Sequence, residues 1–336
     1  MGRLFNPKNY LIFFYIITIL FFVISLFLAL KVFSTSIVLM TPTTEEYKYH
    51  VVLLAEEEDH EYWTLIENGA KDTAIQYEIL IENMAPKLAD SVDHIDKFEM
   101  AIASKVDGII TPVLSHPRFD TLVNEAKNRD IPVVTIDSEH QNNKSLPYIG
   151  SNNYSVGLLA GQALIDDTDG KANVGIILSN TQSINQQLRL KGLMEKLEEV
   201  EGITVISIAE SLNSRVGATK VAYEMLNRHP KITALVGLSY VDGLGIAQVV
   251  EPRLDVLAKM YILTFDLFPD TLDMLDRGII HAIITQEPYE MGVQAVETIL
   301  PLLEGEGIET FHYIENKVLR KGDITSVNTK DWIELR

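Results

Sequence analysis

From residue 49 onward, short apolar runs alternate with segments whose apolar positions recur every three or four residues. The strand candidates are HVVLLA (50–55), YEILIE (77–82), DGIITP (107–112), IPVVTID (131–137), ANVGIILS (172–179), GITVISIA (202–209), ITALVGLS (232–239), YILTFD (261–266) and IIHAIIT (279–285). Each is nearly continuously apolar, the signature of strands buried on both faces rather than on one. Helical periodicity fills the intervals at 62–76, 117–128, 183–199, 215–228 and 288–304. Regular alternation of this kind predicts an α/β fold with parallel sheets. IPVVTID and YILTFD each end in an aspartate, Asp137 and Asp266, followed by a loop. Open α/β sheets bind ligands beyond the carboxyl ends of their strands. The echo therefore predicts two similar lobes, each presenting an aspartate to one cleft.

Ahead of this pattern lies YLIFFYIITILFFVISLFLAL, the 21 residues from Tyr10 to Leu30, with no charge among them. A helix needs about 20 apolar residues to cross a bilayer, so the run is expected to be a transmembrane helix. Arg3 and Lys8 precede it, and Lys31 and then Glu45 and Glu46 follow. The positive-inside bias puts residues 1–9 in the cytoplasm and the remainder outside the cell membrane. A cleaved signal peptide has a shorter apolar core and a small-x-small cleavage site, which Ser34-Thr35-Ser36 supplies poorly. The expectation is an uncleaved anchor with a tether over residues 31–48.

Composition narrows the function. The chain has 336 residues, enough for two lobes, and no cysteine, which excludes disulfides, thiolate metal sites and lipid attachment through an N-terminal cysteine. A net charge of −19 without a Lys/Arg cluster argues against a nucleic-acid partner. Gly237-Leu238-Ser239-Tyr240-Val241 lacks the second glycine of a nucleophile elbow, Gly243-Leu244-Gly245 is a lone GxG, and no P-loop is present. Paired carboxylates such as Asp137 and Asp266 could hydrolyse a glycoside if one of them had a raised pKa, which a sequence does not show. The stretch AEEEDHEYW sets five carboxylates and His60 just before Tyr62 and Trp63. Adjacent acids in an extended loop point in different directions, so no metal site is expected there. Glu56, Glu57 and Glu58 read as solvated residues at a cleft rim, and Asp59 or His60 as a ligand-facing group or a helix cap.

DHEYWTLIENGAKDTA, IPVVTIDSE, SNNYSVGLLAGQAL, LRLKG, LNSRVGATKVAYEMLNRHP, DGLGIAQVV, ILTFD and ITQEPYEMGVQAVETILPLLEGE occur in that order. Together they resemble the type I periplasmic sugar-binding proteins, the ribose-binding and galactose-repressor effector-domain group, over about residues 49–320. The resemblance implies two Rossmann-like lobes joined by a three-crossing hinge, with crossings near 150, 287 and 315. Residues 49–150 with 287–315 would form lobe 1, and 151–286 with 316–336 lobe 2. It also implies binding without catalysis and without a cofactor, and it implies a site. Tyr62 and Trp63 match the aromatic pair that packs on a sugar ring, and His60 stands where the family usually has asparagine. Asp137 and Asp266 match the aspartates that accept sugar hydroxyls, and Arg189 the arginine that donates to them. Asn213, Ser239 and Gln286 complete the set, with serine where asparagine is frequent. The implied ligand is a monosaccharide, a pentose or hexose. A membrane helix in place of a lipobox or helix-turn-helix is similar to the anchored members that associate with a sensor histidine kinase, while delivery to an ABC permease is the other function the family implies.

Overall fold

The computed structural model describes residues 16–26, 47–58, 60–87, 90–140, 145–306 and 311–326. The chain divides into two units, Met1–Tyr47 and Lys48–Arg336. In the first, residues 16–26 are helical and their large apolar side chains, Phe21 and Phe22 among them, are exposed. The rest of the Tyr10–Leu30 run, and the tether through residue 46, lie outside the described residues. Among the described residues no helix is long and apolar enough to cross a membrane.

The second unit holds two six-stranded sheets. One is built from β1 (Tyr49–Leu53), β2 (Ile79–Asn83), β3 (Gly108–Thr111), β4 (Val133–Ile136), β5 (Tyr148–Gly150) and β11 (Phe311–Tyr313), in the order β11-β5-β4-β3-β1-β2. The other contains β6 (Ala172–Leu178), β7 (Ile203–Glu210), β8 (Ala234–Gly237), β9 (Tyr261–Phe265), β10 (Ala282–Thr285) and β12 (Lys317–Arg320), in the order β12-β10-β9-β8-β6-β7. All neighbours are parallel except β12, which runs antiparallel to β10. The strands β3, β4, β8 and β10 are buried at every position, as strands covered by helices on both faces must be.

In lobe 1, α1 (Glu61–Ile75) and α10 (Pro288–Leu303) cover one face, while α2 (Ser91–Ala103) and α3 (Phe119–Asn128) cover the other. In lobe 2, α4 (Asn153–Asp167) and α5 (Ile184–Glu198) cover one face, and α6 (Arg215–Arg228) and α7 (Tyr240–Val250) the other. The short α8 (Leu254–Leu257) and α9 (Pro269–Asp276) complete the second lobe. Helix pairs in both lobes come into backbone contact. A Cβ on Gly69 of α1 would overlap the Tyr289 carbonyl, and one on Gly292 of α10 the Ile66 carbonyl; Gly157 of α4 and Gly192 of α5 stand in the same way against Arg189 and Tyr154. Only glycine permits that approach.

The chain passes between sheets three times, from β5 into α4, from β10 into α10, and from β11 into β12. Asn316 joins all three passages, its amide donating to Ser151 Oγ at 2.8 Å and to the Thr285 carbonyl at 3.0 Å. The domain begins pinned to lobe 1. Lys48 N–H donates to the Glu78 carbonyl at 2.7 Å and its ammonium lies 3.2 Å from Glu304 at the end of α10.

Candidate ligand-binding site

All nine residues singled out in the sequence line one cavity of about 140 Å³ between the lobes, at the carboxyl ends of both sheets. Lobe 1 supplies His60, Tyr62, Trp63 and Asp137; lobe 2 supplies Arg189, Asn213, Ser239, Asp266 and Gln286. The size suits one small ring rather than a chain of them.

The two aspartates reach the cavity by the same backbone device. Each follows its strand with φ of +63°, the left-handed conformation that Asp tolerates better than most residues. Holding such a conformation costs about 1–3 kcal/mol, so the surrounding hydrogen bonds must fix it. Asp137 accepts from the Tyr62 hydroxyl at 2.8 Å, from Ser138 at 3.2 Å and from Asn185 Nδ2 at 2.7 Å. Because Asn185 belongs to α5, the last bond bridges the lobes directly. The backbone carbonyl of Asp137 lies 2.9 Å from the Tyr148 hydroxyl. Asp266 accepts from Gln286 Nε2 and from the backbone N–H of Tyr240. Burial raises its carboxyl above the ordinary carboxylate range, against the nearby Arg189 guanidinium, which lowers it.

Arg189 is 3% exposed and spends its donors within lobe 2, on Asn153 Oδ1 at 2.7 Å, the Leu238 carbonyl at 3.1 Å and Gln286 Oε1 at 2.8 Å. Its guanidinium also lies 4.9 Å from the centre of the Phe265 ring, so the protein's own groups fix its orientation. Gln286 passes that order on: its oxygen accepts from Arg189 and from Ser151 at 3.2 Å, and its nitrogen donates to Asp266.

Tyr62 and Trp63 are buried and meet edge to face, with centroids 6.1 Å apart. Tyr62 binds Asp137 through its hydroxyl, and burial raises that phenol well above its ordinary range. His60 occupies the N-cap position of α1, yet its side chain makes no capping bond. Its ring instead packs edge-on against Tyr240 at 6.0 Å, and burial lowers its basicity. Asp59 lies outside the described residues. Ser239 caps α7 through the Asp242 N–H and shares the Asp242 carboxylate with Ser179 and Ser211. This buried carboxyl is pushed up to about 6 by loss of water, with the three serines opposing the shift. Asn213 has φ of +51° and its N–H bonds the Ser179 carbonyl at 2.9 Å.

Glu57 and Glu58 line the opening of the cleft next to the cavity, as rim residues should. Glu56 is exposed like Glu58 and also borders the cavity. The sequence reading passed over Asn185 and Gln186. Asn185 precedes Arg189 by four positions in SINQQLRLKG, a spacing that puts both on one face of a helix, so the signal was present.

A two-lobed α/β protein with a polar, partly aromatic cavity at its hinge is a small-molecule binding protein by construction. Residues 51–307 match the periplasmic binding protein domain family, and the chain belongs to that family. GanP, a glucose-galactose binding protein from Geobacillus stearothermophilus, is 40% identical, with a TM-score of 0.78 over 82% of this chain and 98% of that one. XylFII in a XylFII–LytSN complex is 30% identical, with a TM-score of 0.77 over 82% of this chain and 99% of that one. The xylose/arabinose-binding protein XylF of Sulfolobus acidocaldarius is 22% identical over 238 residues, 67% of this chain and 58% of that protein's length.

Proposed function

We propose that this protein is a membrane-anchored, extracytoplasmic receptor that closes on a monosaccharide, a pentose or hexose, and reports the bound state to a membrane sensor histidine kinase. The convergence of Asp137, Asp266, Arg189, Tyr62 and Trp63 from both lobes on one cavity carries the sugar-binding part. Carboxylates accept several hydroxyl hydrogens, a guanidinium donates in a fork, and ring faces cover the CH surface of a pyranose. Contacts to both lobes give a sugar higher affinity for the closed arrangement than for an open one, and that difference drives closure. The uncharged run Tyr10–Leu30 supports the anchor, and the assembly of a relative with LytSN supports a protein partner for the sensing role. Delivery to an ABC permease is the second reading, favoured by the same closing geometry.

Titrating the full chain with D-glucose, D-galactose, D-xylose and L-arabinose tests the first claim. Binding should raise the melting temperature by mass action, and Asp137→Ala should remove the response. Absence of binding across the panel would refute it. Deleting Tyr10–Leu30 should weaken a sugar-dependent reporter in cells while leaving affinity intact. Equal reporter output from the freed domain at matched abundance would refute the anchor's role, and loss of sugar uptake with normal output would favour transport.

A further inference from the structure

Asp242, the third residue of α7, is 0% exposed, and its carboxylate gathers hydroxyls from the ends of three strands, β8, β6 and β7, that are consecutive in their sheet. Ser211, the residue after β7, donates to Oδ1 at 2.6 Å. Ser179, the residue after β6, and Ser239, two residues past β8, both reach Oδ2 at 2.8 Å. Capping α7 needs only Ser239, whose hydroxyl accepts the Asp242 N–H at 3.2 Å. The bonds to Ser179 and Ser211 go beyond that. Taking a carboxylate out of water opposes folding, and burial pushes this one up to about 6 against the pull of the three serines. Replacing such a hydrogen-bonded group and its partners by apolar ones of the same shape is nearly neutral, so stability alone does not account for an acid here.

The acid holds the loop between β7 and α6. Leu212 and Asn213 in that loop are both left-handed, with φ of +56° and +51°. A bulky residue seldom adopts that conformation unless its surroundings impose it. Leu212 is 76% exposed, so packing of its own side chain does not impose it. The constraint comes from the flanks: the Ser211 N–H donates to the Leu178 carbonyl and the Asn213 N–H to the Ser179 carbonyl, each at 2.9 Å, while the Ser211 hydroxyl is tied to Asp242. Asn213 and Ser239 line the ligand cavity; Asp242 and Ser211 stand behind them, outside its lining. We propose that Asp242 is a positioning residue for ligand binding: through Ser211 and Ser179 it locks the strand ends that force the Leu212–Asn213 turn, and so it sets the Asn213 amide and the Ser239 hydroxyl against the sugar. This rests on the sugar-binding reading above.

Calorimetric titration of the full chain with D-glucose, D-galactose, D-xylose and L-arabinose identifies the sugar that binds, and the variants are titrated with that sugar. Asp242→Leu and Ser211→Ala should each raise Kd about tenfold, the worth of one well-placed hydrogen bond. Asp242→Asn should stay within about threefold of the parent, because its amide oxygen still accepts from Ser211 and its nitrogen donates to Ser179 and Ser239. Asn213→Gly removes the amide but suits a left-handed turn, and it should also weaken binding about tenfold. Adding Ser211→Ala to Asn213→Gly should then cost little more, since residues that act through one another are not additive. The sugar-free melting temperature of each variant confirms that it folds; should Asp242→Leu fail to fold, Ser211→Ala and Asp242→Asn make the same comparison. Variants that melt lower yet bind with the parent's Kd, an Asp242→Asn protein as weak as Ser211→Ala, or a Ser211→Ala loss that adds in full to that of Asn213→Gly overturns the role of Asp242 and leaves sugar binding standing. A parent chain that binds none of the four sugars overturns both.

Discussion

Arg189→Ala should reduce the stability of the sugar-free protein as well as its affinity. The guanidinium satisfies three acceptors, Asn153 Oδ1, the Leu238 carbonyl and Gln286 Oε1, and its charge offsets the buried Asp266 carboxylate. Leaving one buried acceptor unpaired costs about 1–3 kcal/mol. Three such losses would reach about 3–9 kcal/mol at face value, but the cavity borders the cleft, so water can enter and recover part of that. Arg189 reaches Asp266 through Gln286 rather than in a direct ion pair, so the low end of that range, about 3 kcal/mol, is the expectation here. Against a total of about 5–15 kcal/mol for a folded domain, the variant should fold but unfold at clearly lower urea. The loss should depend on pH. Without Arg189 the Asp266 pKa, already raised by burial, rises further. A folded-state pKa raised above the unfolded value removes stability as pH rises through it and returns stability as pH falls. The deficit should therefore be largest at neutral pH and shrink under mild acid, and Arg189→Lys should be intermediate. Urea unfolding followed by circular dichroism at several pH values measures this, and a loss under about 1 kcal/mol at neutral pH would refute the hydrogen-bond argument.

Gly192→Ala should cost about 2 kcal/mol, because overpacking at the upper end, about 3 kcal/mol, outweighs the roughly 1 kcal/mol gain in helix propensity. The added Cβ would meet backbone atoms, the Tyr154 carbonyl and Leu158 N, neither of which can rotate away. It should also weaken sugar binding, since α5 carries both Asn185 and Arg189; an unchanged melting temperature would count against it. His94 is buried and its imidazole is lowered to about 4 by burial. Its contribution is thus present above pH 6.5 and lost as pH falls toward 4, up to about 3 kcal/mol. His94→Gln should flatten that part of the stability–pH curve, and an unaltered curve would show that another group sets acid sensitivity.

The sheets were legible because strands buried on both faces leave long apolar runs, as in ANVGIILS and ITALVGLS. The short β5, β11 and β12, of three to four residues, give no such run, and hydrogen bonding to a neighbour decides them. Strand-end aspartates announced two lobes, because a charge directly after a buried run has to emerge at a sheet edge. Glu56 is exposed, as its charged neighbours suggested, and it also borders the cavity, which depends on the path of the loop rather than on its neighbours in sequence. The cap role of Ser239 depends on Ser179 and Ser211, residues distant in the chain that only folding brings to Asp242.

Lys48 has a mechanical consequence. The entering chain is fastened to Glu78 and Glu304, both in lobe 1, so any load carried along the preceding segment is borne by that lobe. Lobe 2 hangs from the three passages that Asn316 ties together. Relative to the entering chain, a rotation about those passages would leave lobe 1 in place and carry lobe 2, with the largest displacement at its far edge.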